Sequence, residues 1–313
     1  MLKLIPNEGL AREVQELKKV LTALTALFAV APSILFRDKL ANIGEYLSGI
    51  YSPAGLLWGI TFGALMLAAV RYLFIILIQL RCMERDIQIA LVLILLANVL
   101  KTSPIYLVLY MASFVLLSRR AWTSLPRLLL WAFFIGFVVE IIGTRVCAPF
   151  GCYEYINLRP QILRVGLFVP FAWAIFGAVS YLAASYYFTS PSKRILFASL
   201  LMVIIDLSVD PIMTSWEAWI WKTTTEVTWF DIPWTNYLGW FVVSLMFFSL
   251  YELLRGSDVD RKLSRVGPPV YLLEMFTFAL YAPSAVKFPA ELALVLSIAV
   301  LAFPYLVTQL RTR

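Results

Sequence analysis

The chain of 313 residues contains no histidine. That absence excludes histidine-based nucleophilic triads and the usual imidazole metal sites. It also argues against membrane di-iron desaturases and hydroxylases, whose iron is held by histidine clusters. Cysteine is almost as scarce, with only Cys82, Cys147 and Cys152. Two thiols in one loop, with no imidazole to join them, do not make a structural zinc site. Charge is sparse too: 14% of residues are charged, where soluble domains have about 25%. No Rossmann fingerprint, phosphate-binding loop or haem-ligand pattern occurs. Internal repeats, low-complexity tracts and a soluble domain are missing as well.

What remains is apolar. Hydrophobic residues make up 61% of the chain, and its mean hydropathy is +0.84. Runs long enough to cross a bilayer recur, each bounded by charged or turn-forming residues. Spans are expected near 20–36, 54–80, 87–100, 103–117, 128–144, 166–189, 195–214, 236–254, 270–286 and 288–308. The runs at 87–100 and 103–117 are short; they read either as a tight hairpin or as one element kinked around Lys101 and Pro104. The expected fold is therefore an all-α, polytopic membrane bundle of about 8–10 transmembrane helices. Residues 1–19 read as an amphipathic cytoplasmic segment and 20–254 as the main bundle. A charged linker at 255–269 then leads to a terminal helix pair at 270–313. Ala29-Val30-Ala31 resembles a weak signal-cleavage pattern, but a first span is the better reading. Gly55, Gly59 and Gly63 form a row of small residues suited to close helix packing.

Charge gives the orientation. With ten spans, 17 of the 26 basic residues fall on the side of the N-terminus. The positive-inside rule then places both termini in the cytoplasm of a multi-pass cell-membrane protein. The net charge of +7 is satisfied by an anionic membrane surface and calls for no nucleic acid.

Against this background a few polar residues stand out. Asp206 and Asp210 lie in ILFASLLMVIIDLSVDPIMT, four residues apart and therefore on one helical face. An aspartate at mid-span costs roughly 2.5–3.5 kcal/mol, so a pair of them suggests a polar pocket. The alternative is a pair of ion bridges to arginines of neighbouring helices. Pro211, next in the chain, frees a carbonyl one turn earlier. Glu140 sits in another apolar run, with Thr144 and Arg145 after it. It reads either as a pocket carboxylate or as a structural partner of Arg145 or of another helix. A loop follows, containing Cys147, Pro149, Phe150, Gly151, Cys152, Tyr153 and Tyr155. Its cysteines read as a disulfide or as two small loop residues, and its tyrosines as pocket or interface residues. Between Trp216 and Trp240 lie six of the ten tryptophans, most simply an interfacial belt. Asn236 near the next helix start reads as a cap or as an amide offered to a polar group. By parity the loops after Glu140 and Asp210 emerge on one face, so the three regions can form one site.

These stretches resemble the CruF-type carotenoid biosynthesis proteins, membrane hydratases. The likeness is carried by Glu140-IIGTR with PFG-Cys-YEY up to Tyr155, by VPFAW at Val169 to Trp173, by DLSVDP at Asp206 to Pro211, and by IPWTNYLGW at Ile232 to Trp240. It covers about Trp131 to Leu254, the family-like core. The resemblance implies addition of water to a terminal isoprenoid double bond, giving a tertiary alcohol. Such hydration needs a proton donor, a tolerated tertiary cation and a directed water. A carboxylic acid in apolar surroundings can keep its proton, and aromatic faces can stabilise a cation. Asp206, Asp210 and Glu140 are the expected catalytic residues. Asn236, Trp173, Tyr153, Tyr155, Trp240 and Arg145 are the expected substrate contacts. No cofactor or metal is implied. The expected partners are a lipid-soluble polyene from the bilayer, membrane lipids and other carotenoid-pathway enzymes. Two rival readings are a UbiA-like, magnesium-dependent prenyltransferase, suggested by the Asp206-x-x-x-Asp210 spacing, and a transporter or carotenoid-binding protein using the carboxylates as ion sites.

Overall fold

The computed structural model describes residues 83–222 and 227–311, with side chains described up to residue 302. The expected N-terminal segment 1–19, the spans at 20–36 and 54–80, Ala29-Val30-Ala31 and the glycine row at Gly55, Gly59 and Gly63 lie outside the described residues. Each of the other eight expected spans corresponds to a helix.

Helices α1 (Arg85–Val99) and α2 (Ile105–Arg119) form a hairpin, which settles the choice between two elements and one. The turn is fixed from inside: buried Asn98 Nδ2 donates to Ile94 O at 3.0 Å and to Tyr110 Oη at 2.9 Å. Helix α3 (Leu125–Val146) carries Pro126 in its first turn, where a missing N–H costs nothing. Its residues Leu130, Phe134, Val138, Ile142 and Val146 are exposed, one turn apart, as a lipid-facing stripe requires. The opposite stripe, Leu125, Leu128, Ala132, Gly136, Glu140 and Gly143, is buried. The helix phase thus directs Glu140 into the protein.

Helix α4 (Phe168–Tyr187) is the centre of the bundle, buried almost throughout, and packs against α3 and α5 (Pro191–Ser215). Helix α6 (Trp234–Leu254) packs on α5 and α3. A single turn, α7 (Arg261–Ser264), is capped by Asp260, whose carboxylate accepts from the N–H of Lys262 at 2.6 Å. Helices α8 (Gly267–Tyr281) and α9 (Lys287–Arg311) complete the described chain. Among the described residues, five helical stretches are long and apolar enough to cross a membrane: α3, α4, α5, α6 and Ser284–Ala302. The protein is an all-α membrane bundle.

The expected terminal helix pair is packed into the bundle. Helix α8 packs along α4 and α9 along α5, so both belong to the same core. The linker is also fastened. Buried Arg194 bonds Glu252 at 2.6 Å and Asp258 at 3.0 Å, and Ser124 Oγ donates to Ser257 O at 3.0 Å. Arg255, Asp258 and Asp260 of the charged linker thus help to tie it down.

Candidate active site

Two loops leave the same end of the bundle, after α3 and after α5. They are joined by a short antiparallel ribbon, β1 (Tyr153–Tyr155) with β4 (Trp219–Trp221). Tyr153 pairs with Trp221 and Tyr155 with Trp219. Strand alternation sends these four aromatic side chains to one face and Glu154 and Ile220 to the other. On the outer face, Lys222 pairs with Glu154. Two further hairpins flank the ribbon: β2 (Gln161–Ile162) with β3 (Val165–Gly166), and β5 (Thr228–Trp229) with β6 (Ile232–Pro233).

The ribbon serves the carboxylates. Glu140 accepts from Tyr153 Oη, from Tyr155 Oη at 2.7 Å and from Trp173 Nε1 at 3.0 Å. Burial and the neighbouring Glu140 charge push both phenols above the ordinary tyrosine range, so they remain donors. Trp173 takes its place because position 136 is glycine: a Cβ there would lie 2.6 Å from Trp173 Cγ. Asp206 and Asp210 are linked by one group. Asn236 Nδ2 donates to Asp206 Oδ2 at 2.6 Å and also to Asp210 Oδ2. The other oxygen of Asp210 accepts from Trp219 Nε1 at 2.9 Å. Asn236 is inside α6, so its amide serves the carboxylates and does not cap the helix. Among the described residues, no lysine or arginine pairs with Glu140, Asp206 or Asp210. The alternative of arginine-bridged aspartates finds no support among the described residues.

These residues surround a pocket of about 890 Å³ of empty space, part of it open to the outside. Glu140, Asp210, Asn236, Tyr153, Tyr155, Trp173 and Trp240 all line it. Asp206 lies behind Asp210, with no exposed surface. Trp173 and Trp240 stack with ring centroids 4.0 Å apart, forming an aromatic wall. A disulfide between Cys147 and Cys152 closes the turn that carries Phe150. The Phe150 ring packs on Gly239, where a Cβ would come within 2.6 Å of it.

Arg145 is not part of this site. Its side chain is exposed and donates to Ile141 O of its own helix at 2.8 Å. Five residues at about 100° each turn it roughly 140° away from Glu140. The structure also reveals pocket residues not singled out from the sequence. Phe150, Trp219 and Trp221 come from the loops, and Lys101 and Tyr106 from the α1–α2 hairpin. Lys101 is paired with fully buried Glu274 of α8, and its ammonium lies 3.5 Å from the Phe278 ring centroid. Glu274 also accepts from Tyr106 Oη at 2.8 Å and Tyr110 Oη at 2.5 Å. The period-two patterns Tyr-Glu-Tyr and Trp-Ile-Trp were the available signal for the ribbon. Among the described residues, no group of three histidine, cysteine or acidic side chains is placed to hold a metal ion.

A family profile described as carotenoid biosynthesis protein matches residues 90–303. This extends well beyond Trp131 to Leu254 and takes in α8 and much of α9, which had contributed nothing to the resemblance. Bisanhydrobacterioruberin hydratase of Haloarcula japonica is 29% identical over 136 residues, covering 41% of this chain and 43% of that protein. The match thus spans less than half of the relative's length. No solved structure matches the chain.

Proposed function

Because the chain belongs to the carotenoid biosynthesis protein family, we propose that it is a membrane hydratase, a carbon–oxygen lyase that adds water to a terminal double bond of an acyclic carotenoid or related polyprenoid. The relative that carries the name of a hydratase supports this reading. The observation that carries it is the Asp206–Asn236–Asp210 arrangement. Two buried carboxyl groups meet at one amide nitrogen, without a cationic partner among the described residues. Two such groups cannot both be ionised at low cost, so the pair retains a proton.

Glu140 is buried as well but stands apart from the pair. Three donors point at its two oxygens, an arrangement that suits the carboxylate form. The pair is the acid and Glu140 the base. Asp210, which lines the pocket, protonates the terminal alkene at its less substituted carbon. The tertiary cation rests against the faces of Trp173 and Trp240. Water attacks the cation and gives its proton to Glu140, leaving a tertiary alcohol. The proton taken up by Glu140 then passes back through solvent to the Asp206–Asp210 pair, which closes the cycle, and Asn236 keeps the two carboxyls in register.

The polyene enters from the bilayer, with membrane lipids and other carotenoid-pathway enzymes as the surrounding partners. The basic-residue distribution supports cytoplasmic termini and a site facing the other side. The test uses the purified protein in lipid vesicles with an acyclic carotenoid. The expected product is heavier by one water and forms without added cofactor. Formation of a product only with magnesium and a prenyl diphosphate would overturn the reading.

A further inference from the structure

The β1–β4 ribbon presents four aromatic side chains to the site, each with one hydrogen-bond donor. Three of the donors are engaged: Tyr153 and Tyr155 on Glu140, and Trp219 on Asp210. The fourth is not. Trp221 Nε1 is buried and has no hydrogen-bond partner among the described residues, yet Trp221 lines the pocket. Its ring packs on Tyr153, at 5.1 Å between centroids, beside the phenol that holds Glu140. A buried N–H without an acceptor is costly, which marks Trp221 Nε1 as a donor in want of a partner beside the pocket.

We propose that the Trp221 indole N–H holds the oxygen of the attacking water and afterwards that of the product alcohol. The inference rests on the hydratase reading and names the group that directs its water. An indole N–H only donates, so it engages one lone pair of the water oxygen and leaves the other free for attack. The step balances. Proton transfer from Asp210 forms a C–H bond as the π bond breaks. A water lone pair then forms the C–O bond, and the surplus proton on that oxygen passes to Glu140. With the water poorly held, the cation has another exit. It loses a proton from an adjacent methyl or methylene group and becomes a double-bond isomer, with no oxygen gained. Trp221 therefore sets the ratio of alcohol to isomer.

The experiment measures both products from vesicle-reconstituted protein. Trp221→Phe keeps the ring and removes the donor. Trp229→Phe serves as the control, because Trp229 Nε1 is also buried and unpartnered among the described residues but Trp229 does not line the pocket. Alcohol formation should fall about 2- to 10-fold in Trp221→Phe, as for loss of one neutral hydrogen bond. The isomer fraction should rise in that variant and remain parental in Trp229→Phe. A parental rate and ratio in Trp221→Phe, or an equal shift in both variants, would overturn the proposal. Should Trp221→Phe fail to accumulate in membranes, the parent protein labelled at the indole nitrogens carries the test. Product alcohol must then move an indole N–H signal that the unhydrated polyene leaves in place, and no such movement overturns the assignment. A parent protein that makes neither alcohol nor isomer would instead refute the hydratase reading, and this inference with it.

Discussion

Trp219 Nε1 donates to Asp210 Oδ1 at 2.9 Å, tying the loop ribbon to the acid of the membrane helix. Trp219 is the strand partner of Tyr155, which holds Glu140. One short ribbon therefore fixes both the proposed acid and the proposed base. Trp219→Phe preserves the ring and loses the bond. A hydrogen bond to a neutral carboxyl contributes about 0.5–1.5 kcal/mol, so turnover should fall roughly two- to ten-fold. Steady-state rates at equal membrane protein level check this.

Asn236 is the common donor of the aspartate pair. Asn236→Leu leaves both buried carboxyls without it, and leaving a buried group unsatisfied costs about 1–3 kcal/mol. The variant should melt at a lower temperature in detergent and lose hydration activity. A melt unchanged from the parent would show that the amide bears little of this load.

Lys101, which lines the pocket, pairs with buried Glu274 behind it. Removing one partner of a buried pair is more damaging than replacing both. Lys101→Met alone should destabilise by roughly 3–5 kcal/mol. The double variant Lys101→Met with Glu274→Leu should recover part of that loss. Denaturation of the two variants side by side measures the difference, and additive losses would contradict a coupled pair.

Arg145 separates what the sequence suggested from what the structure places. Because it is exposed and bonded only to its own helix, Arg145→Ala should keep activity within about two-fold of the parent. A larger loss in the same vesicle assay would return it to the site.

The bundle and its acidic residues were legible because both depend on local contrast. Apolar runs mark helices in lipid, and Glu140, Asp206 and Asp210 stand out where a charge is costly. The ribbon was harder to see. Three-residue strands rich in tryptophan have the composition of an interfacial belt, and only the pairing with Tyr153 and Tyr155 gives them a direction. The choice between a bridge and free thiols at Cys147 and Cys152 depended on chain geometry, which composition does not contain. Lys101 and Glu274 meet across 173 residues of sequence, so neither points to the other until the helices pack. Arg145 follows Glu140 closely in sequence but does not line the pocket, because adjacency in sequence is not adjacency on a helix face.

The central claim is that the pocket adds water to an alkene, with the oxygen coming from solvent. The direct measurement supplies an acyclic carotenoid to the vesicle-reconstituted protein in water enriched in heavy oxygen, then determines the product mass. The account predicts a tertiary alcohol bearing the heavy isotope, made by the parent and absent from Asp210→Asn. An alcohol whose oxygen comes from dioxygen, or full activity in Asp210→Asn, would contradict it.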